Sequence, residues 1–153
     1  MKVKAIITIA LIISAVLMAV RVTPGINTNQ FREGKYIHLD SMVIEFDKTD
    51  ADVQINYHLS PFAQVYIFLF GSKHLEPKIE EIFFDFDNVE IQKIGRTNAQ
   101  IWIGNISRES DKHYLHDSKE LGLEPDVLTL VYPDRTRKNI EHAKETTDTF
   151  YPK

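Results

Sequence analysis

Two histidines and an aspartate lie within five consecutive residues, in the order His113-x-x-His116-Asp117. On one turn of helix, imidazoles three residues apart lie on the same side and can share a divalent metal, to which the aspartate adds an oxygen ligand. On a strand the two imidazoles point to opposite faces, which prevents them from sharing an ion. The spacing predicts a metal site only if this segment is helical, and exposed histidines in a polar loop are the alternative interpretation.

The sequence contains none of the stronger signatures of catalysis or cofactor binding. Side chains of adjacent residues diverge, so His116, Asp117 and Ser118 cannot form a nucleophile–base relay, and no G-x-S-x-G motif occurs. The absence of cysteine excludes disulfides, thiolate chemistry and cysteine-ligated metals. The six glycines are dispersed, which disfavours a phosphate-binding loop. These features favour a protein without enzymatic activity and with, at most, a divalent metal as cofactor.

Two other features of the sequence suit contact with another macromolecule. Arg135, Arg137 and Lys138 form the one basic cluster after residue 22. On a strand Arg135 and Arg137 share a face, where they either protect an exposed sheet edge or dock an acidic partner. The phenylalanines around Phe84 exceed what one amphipathic helix face needs, so Phe84 is a candidate for contact with a membrane or another chain, with an ordinary place in the core as the alternative. A protein partner or a second copy of the chain is therefore expected at these residues.

The charge of the chain is unevenly distributed. Lys2, Lys4 and Arg21 are the only charged residues before Arg32, and without those three the chain has 15 basic against 22 acidic residues. The part after residue 22 therefore carries a formal charge of about −7 by the ordinary pKa values. Nucleic acids and anionic lipid surfaces are bound through a basic face. This balance argues against nucleic acid as a partner.

An uncharged, apolar run extends from Ala5 to Val20. Basic residues before such a run are typical of exported proteins and keep the N-terminus in the cytoplasm. Its length lies between that of a signal peptide and that of a membrane span. The small-x-small cleavage pattern ending at Ala19 is spoiled by the bulky Leu17. We expect residues 1–22 to be a retained signal anchor and transmembrane helix with the following domain outside the cytoplasm; cleavage and secretion is the alternative.

Hydrophobic periodicity after the anchor predicts strands before and after a helical stretch. Alternation from Val53 to Leu59 predicts a half-buried strand, which pairs with residues 36–46 as a hairpin. Residues 89–94 and 101–106 predict a second hairpin, and residues 127–132 a further strand. We expect an α+β domain with a mainly antiparallel sheet.

A pair of short helices is predicted between the hairpins. Ser60-Pro61 has the form of an N-cap followed by proline at the first helical position, and Glu76-Pro77 begins a second helix. Apolar residues at steps of three and four mark the buried face expected for the first helix: Phe62, Val65, Tyr66, Leu69 and Phe70. The face expected for the second helix consists of Ile79, Ile82, Phe83 and Phe86. We expect the pair to cover one face of the sheet.

Composition divides the chain into four parts. The polar stretch at residues 23–35, with sequence TPGINTNQFREGK, is rich in turn formers and predicts a linker after the anchor of residues 1–22. The extracytoplasmic α+β domain is expected over residues 36–144. The remaining residues, 145–153, are mostly polar and predict a C-terminal tail, with docking of Phe150 and Tyr151 on the domain as the alternative.

The stretch from Leu69 through Glu80 and the later LTLVYPD from Leu128 to Asp134 resemble small membrane-anchored proteins of methanogenic archaea. The resemblance implies an archaeal origin and attachment to the membrane. It implies no activity and transfers no functional residue, because none is known for that group.

These features together predict a single-pass, membrane-anchored protein whose extracytoplasmic domain binds a partner or supports an envelope assembly without enzymatic activity. One alternative is a metal-binding domain or metal-dependent envelope enzyme that uses His113, His116 and Asp117. The other is a ligand-binding domain that is secreted after signal cleavage.

Overall fold

Nine strands and two short helices make up residues 36–153, the part of the chain that the computed structural model describes. The predicted anchor, residues 1–22, and the predicted linker, residues 23–35, lie outside the described residues. The observed domain is α+β, with a mainly antiparallel sheet and two short helices, as the sequence predicts.

The first hairpin joins β1 (Ile37–Asp47) to β2 (Asp50–Leu59) through a two-residue turn. Buried and exposed residues alternate along β2, which confirms a strand with one face in the core. The register slips by one residue between Leu39 and Ser41, so Asp40 is the extra residue of a β-bulge.

Six strands form the main sheet, in the order β3-β4-β2-β1-β7-β8. The second hairpin consists of β3 (Val89–Ile94), at its predicted bounds, and β4 (Asn98–Ile103), which begins and ends three residues before the predicted 101–106. The strands β7 (Val127–Val131) and β8 (Arg137–Glu141) extend the sheet on the other side. Because β7 runs parallel to β1, the sheet is mixed, which hydrophobic patterning did not reveal.

A second, three-stranded sheet includes the end of the chain. It consists of β5 (Arg108–Glu109), β6 (His113–His116) and β9 (Thr149–Pro152), in that order. The prediction of a polar tail over residues 145–153 is therefore wrong at β9. Tyr151 is 2% exposed, and its hydroxyl donates to the Lys48 carbonyl oxygen at 2.6 Å, so burial in the core overrides the polar composition of the tail.

The two helices follow β2 directly. Ser60 caps α1 (Pro61–Phe70), its hydroxyl oxygen accepting the Ala63 N–H at 3.4 Å, and Pro61 takes the first helical position. A short 3₁₀ turn, Ser72–Leu75, leads into α2 (Glu76–Ile82). The apolar face predicted for the second helix is confirmed, since Ile79, Ile82, Phe83 and Phe86 are all buried.

The core lies on one face of the main sheet and includes side chains from the helices and the second sheet. Gly122 contacts the end of α2 so closely that an added Cβ would lie 1.9 Å from the Glu81 carbonyl oxygen. Within residues 36–153, neither helix is long and apolar enough to cross a membrane.

Candidate functional site

The outer side of α1 is the most unusual surface of the described domain. Of its ten residues only Ile67 is buried. We call the α1 surface the large apolar side chains that remain 58% to 69% exposed: Phe62, Val65, Phe68, Leu69 and Phe70. Contiguous apolar patches of this kind on a soluble domain mark sites of contact with a protein or a membrane.

The burial of α1 reverses the prediction from its spacing. The five residues predicted to form its buried face are all exposed, and the least exposed of them, Tyr66, is still 40% exposed. The helix is apolar on nearly all sides, so its periodicity did not identify one side. The helix pair therefore covers the sheet mainly through α2 and the single α1 residue Ile67.

The α1 surface is uncharged and bordered by cations. No Asp, Glu, Lys or Arg occurs between residues 53 and 72, and Lys73 follows. The guanidinium carbon of Arg96, in the β3–β4 turn, lies 5.5 Å from the centre of the Phe68 ring. Such a contact is a cation–π interaction. Charged groups thus meet this surface at its rim and not along its length.

A groove of about 420 Å³ separates α1 from the neighbouring strands. Its walls are formed by Val65, Ile67 and Phe68 on the helix, and by His58 and Arg96 on the sheet side. The groove joins the α1 surface to the end of β2, where a second candidate site lies.

The chain enters the domain beside α1. The Tyr36 ring lies 6.3 Å from the Phe62 ring, measured between centroids, and the Ser60 N–H donates to the Tyr36 carbonyl oxygen at 2.9 Å. The first described residue is therefore fixed to the beginning of α1.

Two histidines and two aspartates meet on the open face of the main sheet. In this cluster, hereafter the His38–His58 cluster, the His58 Nδ1 lies 2.6 Å from the Asp40 Oδ1, and the His38 Nε2 lies 3.0 Å from the Asp126 Oδ2. The His38 Nε2 is 3.9 Å from the Asp40 Oδ1. The ligand atoms of His38, Asp40 and His58 all lie within 4.8 Å of one another.

The β-bulge at Asp40 creates this cluster. Counted back from the turn, an unbroken register would pair His58 with Leu39, whose side chain is buried. The extra residue shifts the pairing by one, so that His38 lies opposite His58, with ring centroids 4.7 Å apart. Asp126, immediately before β7, is held alongside because its N–H donates to the Leu39 carbonyl oxygen at 3.0 Å.

The Asp126 carboxyl is held in its ionised form. Its pKa lies below the ordinary value, chiefly because of the hydrogen bond with His38 and further because of the positive charge available on His38. The side chains of His38 and Asp126 are 50% and 46% exposed, so the cluster is open to an ion from solution.

The predicted metal-binding residues are not brought together on one face. β6 is a strand, in which His113 is exposed and packs edge-on against Phe150, whereas His116 is buried. Asp117 instead pairs with Arg108 at 3.1 Å. The predicted His113-x-x-His116-Asp117 site required a helix. In the strand β6, residues three apart point to opposite faces of the sheet, so the two imidazoles cannot share an ion.

Both nitrogens of His116 are already hydrogen bonded. Its Nδ1 lies 2.9 Å from the Ile106 carbonyl oxygen and its Nε2 lies 2.8 Å from the Thr146 hydroxyl. A carbonyl can only accept, so Nδ1 carries the proton and donates. Burial lowers the pKa of His116, and the hydrogen bond to Ile106 opposes that shift. A neutral His116 therefore joins β6 to the segment before β9 as a structural residue.

The remaining predicted contact residues are all exposed. Arg137 and Lys138 lie on β8, an edge of the main sheet, and Lys138 donates to the Thr147 hydroxyl at 3.2 Å. Arg135 is in the preceding turn with φ of 67°, so it does not share a strand face with Arg137. Phe84 is 59% exposed, just after α2. The structure thus separates Phe84 and the basic cluster onto different elements.

No protein-family model, curated protein or solved structure matches this chain.

Proposed function

We propose that the protein is a single-pass, membrane-anchored domain outside the cytoplasm, without enzymatic activity, that lies on the membrane through its α1 surface. The observation that carries this proposal is the exposure of five large apolar side chains on one uncharged helix. Short helices with aromatic and aliphatic side chains on an exposed side partition into the lipid interface, parallel to its plane. The domain would thereby be held at the membrane, next to the partners of an envelope assembly.

The entry point of the chain favours the lipid surface over a protein partner. Tyr36 packs against Phe62 at the beginning of α1, and the predicted linker of residues 23–35 directly precedes it. Thirteen residues span at most about 45 Å when fully extended. If the Ala5–Val20 segment is anchored, the bilayer is therefore always within reach of α1.

The charge pattern suits insertion and not electrostatic adsorption. The acidic balance of the domain disfavours binding to an anionic surface. Insertion of Phe68 or Leu69 needs no basic face, because the gain comes from removing apolar surface from water. Complete burial of one such side chain contributes about 1.5–3 kcal/mol. Because these side chains are 58% to 69% exposed, burying the five exposed portions together would supply roughly 5–9 kcal/mol.

The absence of native cysteine allows a direct test with one labelled position at a time. The full chain, reconstituted into zwitterionic phosphatidylcholine vesicles, would carry an environment-sensitive fluorophore on Leu69→Cys or, as a matched control, on Gln54→Cys. Gln54 is exposed on the open face of β2. We expect a blue-shifted emission that lipid-borne quenchers suppress at position 69, and a water-like emission at position 54.

Two results would count against lipid contact. Water-like emission from both positions would show that α1 stays in solution. Efficient disulfide formation between two Leu69→Cys chains, together with resistance to lipid-borne quenchers, would instead assign the α1 surface to a homo-oligomer. Intact mass from the native host separately tests the anchor, because removal of the N-terminal segment lowers the mass.

A further inference from the structure

We propose that the His38–His58 cluster is a binding site for a divalent transition metal of the Zn²⁺ class, with His38 Nε2, His58 Nδ1 and an Asp40 carboxylate oxygen as ligands. Two imidazole nitrogens and a carboxylate oxygen form a donor set that zinc commonly uses. Metal binding here requires nothing of the α1 surface, so the two proposals succeed or fail independently.

The distances in the cluster are close to those of a coordination sphere. Metal–ligand bonds of roughly 2.0–2.1 Å place tetrahedral ligand atoms about 3.3 Å apart. The observed separations are 2.6 Å from His58 Nδ1 to Asp40 Oδ1 and 3.9 Å from His38 Nε2 to the same oxygen. Small side-chain rotations would make both separations equal, and these side chains are 43% to 62% exposed.

Asp126 completes the set. Its Oδ2 lies 3.0 Å from the same His38 nitrogen, on the side of β1 away from β2. A cation between these groups would replace the hydrogen bond between His38 and Asp126, and the aspartate carboxylate oxygens would face its positive charge. Asp126 is thus a candidate for the fourth ligand, through a carboxylate oxygen.

The backbone fixes the ligands before any ion arrives. His38 and His58 are opposite one another in a regular antiparallel pair, and Asp40 is directed beside them by the bulge. Bulges commonly re-aim a side chain next to a functional site. Three ligands therefore come from one rigid hairpin, and the fourth from the parallel neighbour of β1.

The test uses the full chain in detergent micelles, stripped with a chelator and then titrated with Zn²⁺ and with Co²⁺. Elemental analysis after dialysis would give the stoichiometry, and the visible absorption of Co²⁺ would report imidazole and carboxylate coordination. We expect one zinc ion per chain. His58→Ala and Asp40→Asn should each weaken binding by about tenfold or more, since even outer residues of a metal site contribute ten- to a hundredfold.

The matched controls are two exposed histidines outside the cluster, His74 and His113. His74→Ala and His113→Ala should bind zinc as the unmodified chain does, and circular dichroism should show all variants folded. Absence of stoichiometric zinc in the unmodified chain would overturn the proposal. Unchanged affinity in both His58→Ala and Asp40→Asn would also overturn it, and loss of binding in His113→Ala alone would assign the ion to the segment around β6.

Discussion

At the residue scale, His116 shows how burial changes the role of a histidine that the sequence marks as a ligand. It is 1% exposed, hydrogen bonded through both ring nitrogens, and has a lowered pKa because of desolvation. Its neighbour in the predicted site, His113, is exposed on the other side of β6. Spacing alone did not distinguish the two, because the outcome depended on whether residues 113–116 form a helix or a strand.

The first prediction concerns the pH dependence that His116 gives to stability. Its pKa is about 6.5 in the unfolded chain and lower in the folded domain. Between those two values the unfolded state binds more protons, so stability falls as the pH falls below about 6.5, by at most about 1.4 kcal/mol per pH unit. Above that range the contribution is constant.

Denaturant unfolding of the fragment Gly34–Lys153, which forms a compact unit of its own, would measure this effect. His116→Gln should be less stable than the unmodified fragment at pH 8, because glutamine cannot keep both of the hydrogen bonds that His116 makes to the Ile106 carbonyl oxygen and the Thr146 hydroxyl. The difference between the two should narrow as the pH is lowered to 5. A difference that stays constant, or widens, would mean that His116 is not held neutral.

The His38–His58 cluster could not be found from spacing. Its members are distant in sequence, and an uninterrupted register from the turn would have paired His58 with Leu39. The signal that could have identified it is the presence of two histidines at similar distances from one hairpin turn. The bulge that aligns them depends on tertiary packing, which a pattern of hydrophobic residues does not encode.

At the scale of elements, the first hairpin, β3 and the start of each helix were predicted at nearly their observed positions, because strict alternation and the proline caps are local signals. β4 begins and ends three residues before the predicted 101–106. The parallel pairing of β1 with β7 was not predicted, because it depends on contacts between distant parts of the chain. Docking of Phe150 and Tyr151 was expected only as the alternative to a polar tail. The buried side of α1 was predicted wrongly, since Ile67 is surrounded in sequence by residues equally apolar.

The second prediction tests β9 as part of the core. Tyr151→Ala should lower the free energy of unfolding by about 3–5 kcal/mol, as removal of a large buried aromatic side chain does. Phe150 precedes it in the same strand but is 69% exposed. Phe150→Ala should change stability by less than about 1 kcal/mol. If both substitutions changed the unfolding free energy of the fragment Gly34–Lys153 by the same small amount, β9 would be a frayed tail.

The third prediction separates the two sides of α1. Ile67 is 5% exposed, whereas Leu69 is 66% exposed. In the fragment Gly34–Lys153, Ile67→Ala should cost about 2–4 kcal/mol of stability, because it leaves a cavity in the core. Leu69→Ala should change stability by only about 0.5 kcal/mol, because this side chain remains in water. Thermal or denaturant unfolding of both variants would measure the two effects. A larger loss of stability in Leu69→Ala would show that Leu69 lies on the buried side of α1, as its spacing predicted.

At the scale of the whole molecule, the proposal joins a predicted anchor to a domain with an exposed apolar helix at the point where the chain enters it. Tyr36 fixes that entry point against Phe62, and the Arg96 guanidinium borders the same surface through Phe68. A large apolar surface on an acidic, cysteine-free domain is otherwise a liability for aggregation. Continuous proximity to a bilayer would remove that liability, because the α1 surface would be covered by lipid.

The most direct test of this account is photo-crosslinking from α1 in the membrane. The full chain would carry benzoylphenylalanine in place of Phe68, which is 69% exposed, with the same residue in place of Gln54 as the control. After reconstitution into phosphatidylcholine vesicles and irradiation, mass spectrometry would identify each adduct. We expect a lipid adduct at position 68 and none at position 54. A protein–protein adduct at position 68 without lipid, or equal labelling at both positions, would contradict the account.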